Sequence, residues 1–127
     1  MKIVIMSDEA LHPQIESLLA ELRVQEPDIE IQSLELKRTG IGIHIAQEVT
    51  MRVATTLEHV MLAKLMEAGI KWGQGVVKNY FNQPIVITIF GDNGIPLAGN
   101  RILPSGEIEE MDVTKMPKLP AFPVHLL

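Results

Sequence analysis

Cysteine is absent from the chain. Its absence removes disulfide staples, a thiol nucleophile and thiolate metal ligands together, and it fits a reducing compartment. Aromatics are scarce: three Phe, one Tyr and one Trp in 127 residues. The core must therefore be aliphatic, built from Ile, Leu, Val and seven Met. A basic surplus is missing as well. Eleven Lys and Arg stand against sixteen Asp and Glu, for a formal net charge of −5. No basic cluster is present to neutralise phosphates, which argues against nucleic acid and against an anionic membrane surface.

Long apolar runs are lacking too. The greasiest stretch, residues 60–65, already contains Lys64 and is followed by Glu67 and Lys71, so no membrane span is expected. Met1-Lys2-Ile3-Val4-Ile5-Met6 is too short for a signal peptide, and Asp8 and Glu9 follow at once. A cytoplasmic protein is the expectation. No serine sits in a Gly-x-Ser-x-Gly elbow. The histidines His12, His44, His59 and His125 are never three or four apart, the spacing that puts two metal ligands on one helix face. Asp8-Glu9 and Glu109-Glu110-Met111-Asp112 read as solvated turns. The expectation is a protein that is not an enzyme and has no metal or cofactor.

What is present suits one domain. Hydrophobic residues make up 46% of the chain. Residues 1–115 read as a single α+β domain and residues 116–127 as a proline-rich C-terminal arm. Lys2 to Met6 reads as a buried strand. A helix follows, with Ile15, Leu18, Leu19 and Leu22 on one face. Ile29, Ile31, Leu34 and Leu36 alternate with Glu30, Gln32 and Glu35, which marks a strand with one wet face. Strand, helix and strand form a βαβ unit, in which neighbouring strands would be joined by a right-handed crossover.

Residues 45–80 read as one long amphipathic helix. Ala54, Leu57, Met61, Leu65, Ala68 and Trp72 recur at three- and four-residue steps. Val49, Val53 and Val60 form a second apolar line. Such a helix would span roughly 50 Å at 1.5 Å per residue, whereas a chain of this size has a radius of gyration of about 14 Å. The helix must then bend, project from the sheet or pack against a second copy. Gly69, Gly73 and Gly75 predict a bend or stop near its end, and Gly69 with Gly73 could admit another helix. Ile85 to Phe90 is the clearest strand, and Gly91-Asp92-Asn93-Gly94 is a hairpin turn. Pro96 and Gly99 make the return strand an edge or bulged one. A last short strand is expected within residues 107–113, which completes a C-terminal hairpin in a mixed sheet.

Two stretches bear on binding. Gly40, Gly42 and His44 lie between a strand and the expected helix, where backbone N–H groups could meet an anion. The branched Ile41 and Ile43 favour a plain turn. The arm reads Pro117-x-x-Pro120-x-x-Pro123, a three-residue interval typical of polyproline II. Phe122, Val124, Leu126 and Leu127 favour a clamp over an apolar surface.

The order of strand, helix with Leu18-Leu19-Ala20-Glu21-Leu22-Arg23, strand, glycine break, apolar helix to Trp72 and Ile85-Val86-Ile87-Thr88-Ile89 with its glycine turn resembles the small effector-associated components of bacterial conflict systems. The likeness spans about residues 2–103 and is one of layout. It implies a non-enzymatic adaptor, with a role in bacterial defence, and carries no site residue over. The function expected is therefore non-catalytic protein interaction. The chain would assemble with itself as a homo-oligomer, and with another protein, through Val49, Val53, Val60, Met61, Leu65 and Trp72. The alternative is a small-ligand or nucleotide-binding domain that uses the turn at residues 40–46.

Overall fold

The computed structural model describes residues 1–40, 42, 44–80 and 83–124. Six strands form one sheet: β1 (Lys2–Asp8), β2 (Ile29–Arg38), β3 (His44–Val53), β4 (Ile85–Phe90), β5 (Pro96–Ile102) and β6 (Ile108–Glu110). Their order is β2-β3-β1-β4-β5-β6. Every neighbouring pair is antiparallel. Two helices accompany the sheet, α1 (Ile15–Gln25) and α2 (Glu58–Tyr80).

The fold is α+β, with three differences from the sequence reading. The sheet is antiparallel rather than mixed. β1 and β2, joined by α1, run in the same direction but are not neighbours, because β3 lies between them. β3 and β4, joined by α2, are likewise separated by β1. Two split βαβ units therefore interleave, the connectivity of ferredoxin-like sheets, and β5 and β6 extend the sheet as a meander.

The third difference is the long helix. Its expected first part is the ten-residue strand β3, and α2 covers only Glu58–Tyr80. At 1.5 Å per residue a helix of 23 residues is about 35 Å long, so the conflict between helix length and chain size is gone. β3 pairs with β1 on one side and β2 on the other. Two backbone ladders outweigh helical periodicity in a segment rich in β-branched residues.

Register assigns the two faces, because residues opposite one another share a face. Ile3 is opposite both Val49 and Ile89, and Ile5 is opposite Ile87. These side chains meet Leu18, Leu19 and Leu22 of α1 and Met61, Leu65 and Val76 of α2 in one buried cluster. α1 buries the face that its spacing indicates. Each such aliphatic side chain contributes roughly 1.5–3 kcal/mol on burial. The two helices are joined by Trp72, whose Nε1 donates to the Gln14 carbonyl and to Ser17 Oγ, both at 3.1 Å.

α2 does not stop at its glycines. A Cβ at Gly73 would collide with Cδ1 of Ile102, and one at Gly69 would lie 3.3 Å from Cδ1 of Ile87. These two glycines bring the helix close to the sheet rather than to another helix, at a propensity cost of up to about 1 kcal/mol each. β5 has neighbours on both sides, and its irregularity is a register shift opposite Ile89 and Phe90 at Pro96.

Among the described residues the opposite face of the sheet has no α-helix, only a short 3-10 turn at Val113–Lys115. Val4, Met6, Ala46, Val86 and Phe90 form a second buried cluster with Met116, and Met111, Val113, Leu119 and Phe122 pack against it. The arm lies across this face within its own chain as far as Phe122, through a turn at residues 119–120 rather than as the polyproline II helix its prolines suggest. The expected contribution of Leu126 and Leu127 falls outside the described residues.

Candidate interaction surfaces

The two edges of the sheet differ. β6 spans three residues, all exposed, two of them glutamate. A short, acidic strand is a poor template for an incoming strand. β2 spans ten residues and pairs with β3 alone. It carries a register shift between Ile31 and Ser33, after which residues 33–38 pair without interruption. Leu34 and Leu36 lie on the helix side, opposite Val49 and Gln47. Leu36 is 39% exposed, so part of its apolar surface faces solvent at the open edge. Glu35 and Lys37 lie on the other side, opposite Glu48 and Ala46.

The arm-covered face has an ionic rim. Glu48 of β3 is 4% exposed and lies between lysines from the two flanking strands. Lys2 Nζ is 2.6 Å from its Oε1 and Lys37 Nζ is 2.8 Å from its Oε2. Burial pushes the Glu48 carboxyl up, but hydrogen bonds from Lys2 and Lys37 outweigh that and hold it below the usual carboxylate range. The hydrogen bond to Glu48 raises the Lys37 ammonium, against the opposing effect of burial. Lys37 also stands 6.0 Å from the centre of the Phe122 ring, which joins the rim to the arm.

Beside the rim an open cleft of about 270 Å³ lies between Lys2, Lys37 and Glu48 on one side and Asp92, Leu119 and Pro120 on the other. Asp92 accepts from the Met1 ammonium group, a bond that lowers the aspartate below its ordinary value. The charges around this cleft are paired with one another, so it has no surplus of either sign to select an ion. Among the described residues no group of three His, Asp or Glu is placed to hold a metal, and no helix is long and apolar enough to cross a membrane.

The residues expected at an interface are mostly interior. Val49 is 1% exposed, Met61 2%, Leu65 0% and Trp72 8%, and Val53 is half-buried against the same cluster. Val49 and Val53 belong to β3, where the sheet register turns them under the helices. Val60 is 50% exposed, a single apolar residue of an ordinary kind. An apolar line of three valines in search of a cover therefore does not exist.

Gly40, Gly42 and His44 are also placed differently. The glycines adopt φ of 82° and 52° in the connection from β2 to β3. His44 opens β3 opposite Asp8, and its carbonyl accepts from Thr39 Oγ1 at 2.9 Å. A strand follows the turn instead of a helix, so it has no helix N-terminus to offer an anion, and the basis of the nucleotide-site expectation is lost. Ile41 and Ile43 fall outside the described residues.

Sequence reasoning missed the Lys2–Glu48–Lys37 rim and the open β2 edge. The rim joins positions far apart in the chain and has no local signature. The edge had a signal in the period-two pattern of residues 29–36, but which strand would be outermost depends on the pairing of β3. No protein family model, no curated protein and no solved structure matches the chain.

Proposed function

We propose that this protein is a non-catalytic interaction module that assembles by adding a strand at the β2 edge, with a second copy of the chain as its simplest partner. The observation that carries this reading is the contrast between the edges: ten residues with partly exposed apolar side chains at β2, three acidic or exposed residues at β6. Main-chain hydrogen bonds supply the attraction in strand addition, and alternate side chains supply the choice of partner.

The sequence of β2 is complementary to itself. In an antiparallel pairing centred on Leu36, that leucine meets its own counterpart. Glu35 then falls opposite the counterpart of Lys37, and the same pair repeats across the two-fold axis. Cross-strand pairs of these kinds each contribute roughly 0.2–1 kcal/mol. A register centred on Glu35 would instead oppose like charges. This reading replaces assembly through α2, whose apolar face is used within the chain. An adaptor role, as the layout resemblance implies, would use the same edge for a second protein.

Light scattering at micromolar concentration tests the proposal. The wild type is expected at twice the mass of one chain. Leu36→Asp, at a position already partly exposed, should halve that mass while the circular dichroism spectrum is unchanged. Glu35→Lys should act in the same direction by placing lysine opposite lysine. A wild type that stays at the mass of one chain up to millimolar concentration overturns the reading.

A further inference from the structure

The register shift in β2 re-aims one side chain. Ile31 is opposite Met51 and Ser33 is opposite Thr50, so Gln32 is an extra residue without a partner across the ladder. A bulge of this kind takes a side chain out of its regular alternation and is a common device beside binding sites. Gln32 lines an open cleft of about 400 Å³ together with Thr50 and Arg52 of β3, Lys2 of β1, and Asp92. Met51 and Val53 pack in the helix-side core, so Thr50 and Arg52, which alternate with them, face the other way. The cleft lies beside the arm, and among the described residues none from the arm lines it.

Hydrogen-bond donors converge on this cleft. Among the described residues the side chains of Gln32, Thr50 and Arg52 make no hydrogen bond or ion pair. Glu30 stands opposite Arg52 across the ladder, yet no ion pair joins the two. The other charges are already matched: Lys2 holds Glu48 at 2.6 Å, and Asp92 accepts from the Met1 ammonium group. One charge on the cleft wall is therefore uncompensated, the guanidinium of Arg52. Its planar fork matches the two oxygens of a carboxylate. The Gln32 amide and the Thr50 hydroxyl can each donate or accept beside it.

From this arrangement we propose that the cleft binds a small monocarboxylate. Arg52 takes the carboxylate, and Gln32 and Thr50 hydrogen-bond to it or to a hydroxyl group next to it. The charge count selects this class. One surplus positive charge balances one negative charge. A phosphate ester carries about −1.5 to −2 near neutrality, and its excess would face the carboxylates of Asp92 and Glu48. The cleft volume is at the lower end of the range for small-molecule sites, which suits an acid of a few carbons. Because the cleft is open, the expected Kd is on the order of millimolar. The site is complete within one chain and stands whether or not the β2 edge assembles.

The test is a titration of the isotope-labelled full-length protein followed by amide chemical shifts. The probes are sodium lactate, a monocarboxylate with an adjacent hydroxyl, methyl phosphate, and sodium chloride at matched ionic strength. Lactate is expected to shift the amides of Gln32, Thr50 and Arg52 along a saturating curve. Arg52→Gln, at an exposed position, should weaken lactate binding about tenfold or more. Glu30→Gln should tighten it, because a carboxylate that competes for Arg52 is gone. Shifts that do not saturate, or that sodium chloride reproduces, overturn the proposal. Unchanged binding by Arg52→Gln or weaker binding by Glu30→Gln also overturns it. Methyl phosphate that binds more tightly than lactate overturns the choice of a monocarboxylate. Should Arg52→Gln fail to fold, Gln32→Ala replaces it, with a loss of about threefold or more expected and unchanged affinity overturning the site.

Discussion

The two faces of the sheet are covered by different means. On one, two helices satisfy their own backbone hydrogen bonds and present aliphatic stripes, so that Ile3, Ile5, Ile87 and Ile89 meet α1 and α2 in a continuous core. On the other, an irregular arm with a turn at residues 119–120 supplies Met116, Leu119 and Phe122 and leaves Thr88 Oγ1 without a partner. The apolar chemistry is alike, but the attachment is not. A helix cannot leave the first face without opening the domain. The segment from Met111 onward needs to break two backbone hydrogen bonds, Met111 to Gly99 and Leu119 to Gly94, withdraw Met116, Leu119 and Phe122 and separate Phe122 from Lys37. Local stability should follow that difference, with the arm at the lower end.

The comparison breaks most severely if the helix face is damaged. Leu65 is 0% exposed, and Leu65→Ala should cost about 4 kcal/mol of global stability. Phe122→Ala, at a half-buried position, should cost about 1 kcal/mol and act mainly on the arm. Urea unfolding of both variants checks this, and equal losses would remove the distinction between the faces. Second in size is the rim. Lys2→Met combined with Lys37→Met leaves the Glu48 carboxylate buried without its cations, at a cost of about 3 kcal/mol. Glu48→Gln in the same background should recover much of the loss, as read from the denaturation midpoint.

A smaller effect, of opposite sign, is expected at Thr88. Thr88→Val replaces a partnerless hydroxyl with a methyl group of similar shape and should raise stability by about 1 kcal/mol. A loss on thermal unfolding would mean that the hydroxyl is satisfied after all. Smallest is the dependence on pH. The folded-state value of Glu48 is depressed, so its contribution is present above the ordinary value of 4.5 and is lost as pH falls through the depressed value. The value for Lys37 is raised, so its contribution is present below 10.5 and is lost as pH rises through the raised value. Arm protection should therefore be flat between those limits, and a titration with its midpoint near neutrality would contradict this account of the rim.

Much of this architecture was legible in the sequence where one physical signal dominated. α1 shows its buried face through Ile15, Leu18, Leu19 and Leu22, and β4 shows itself as an uninterrupted apolar run ending in a glycine turn. β3 was not legible, because both of its faces are covered. Gln47 and Glu48 are buried along with Ile45, Ala46 and Val49, so no wet side reveals a period of two. Ile45, Val49 and Val53 are four residues apart and fit a helix equally well, so the strand merged with α2. The apolar character of the arm could be read from Phe122, whereas its turn at residues 119–120 and its seat on Gly94 and Gly99 could not. The Lys2–Glu48–Lys37 rim exists only once three strands are in register.

The central claim is that the arm opens separately from the helix-covered core. Native-state amide hydrogen exchange in low urea measures it most directly. The Met111 and Leu119 amides, bonded to the Gly99 and Gly94 carbonyls, should exchange through openings of lower free energy and shallower urea dependence than the amides in the middle of α2. If they instead exchange with the same free energy and the same urea slope as α2, the arm and the core unfold as one unit and the account is wrong.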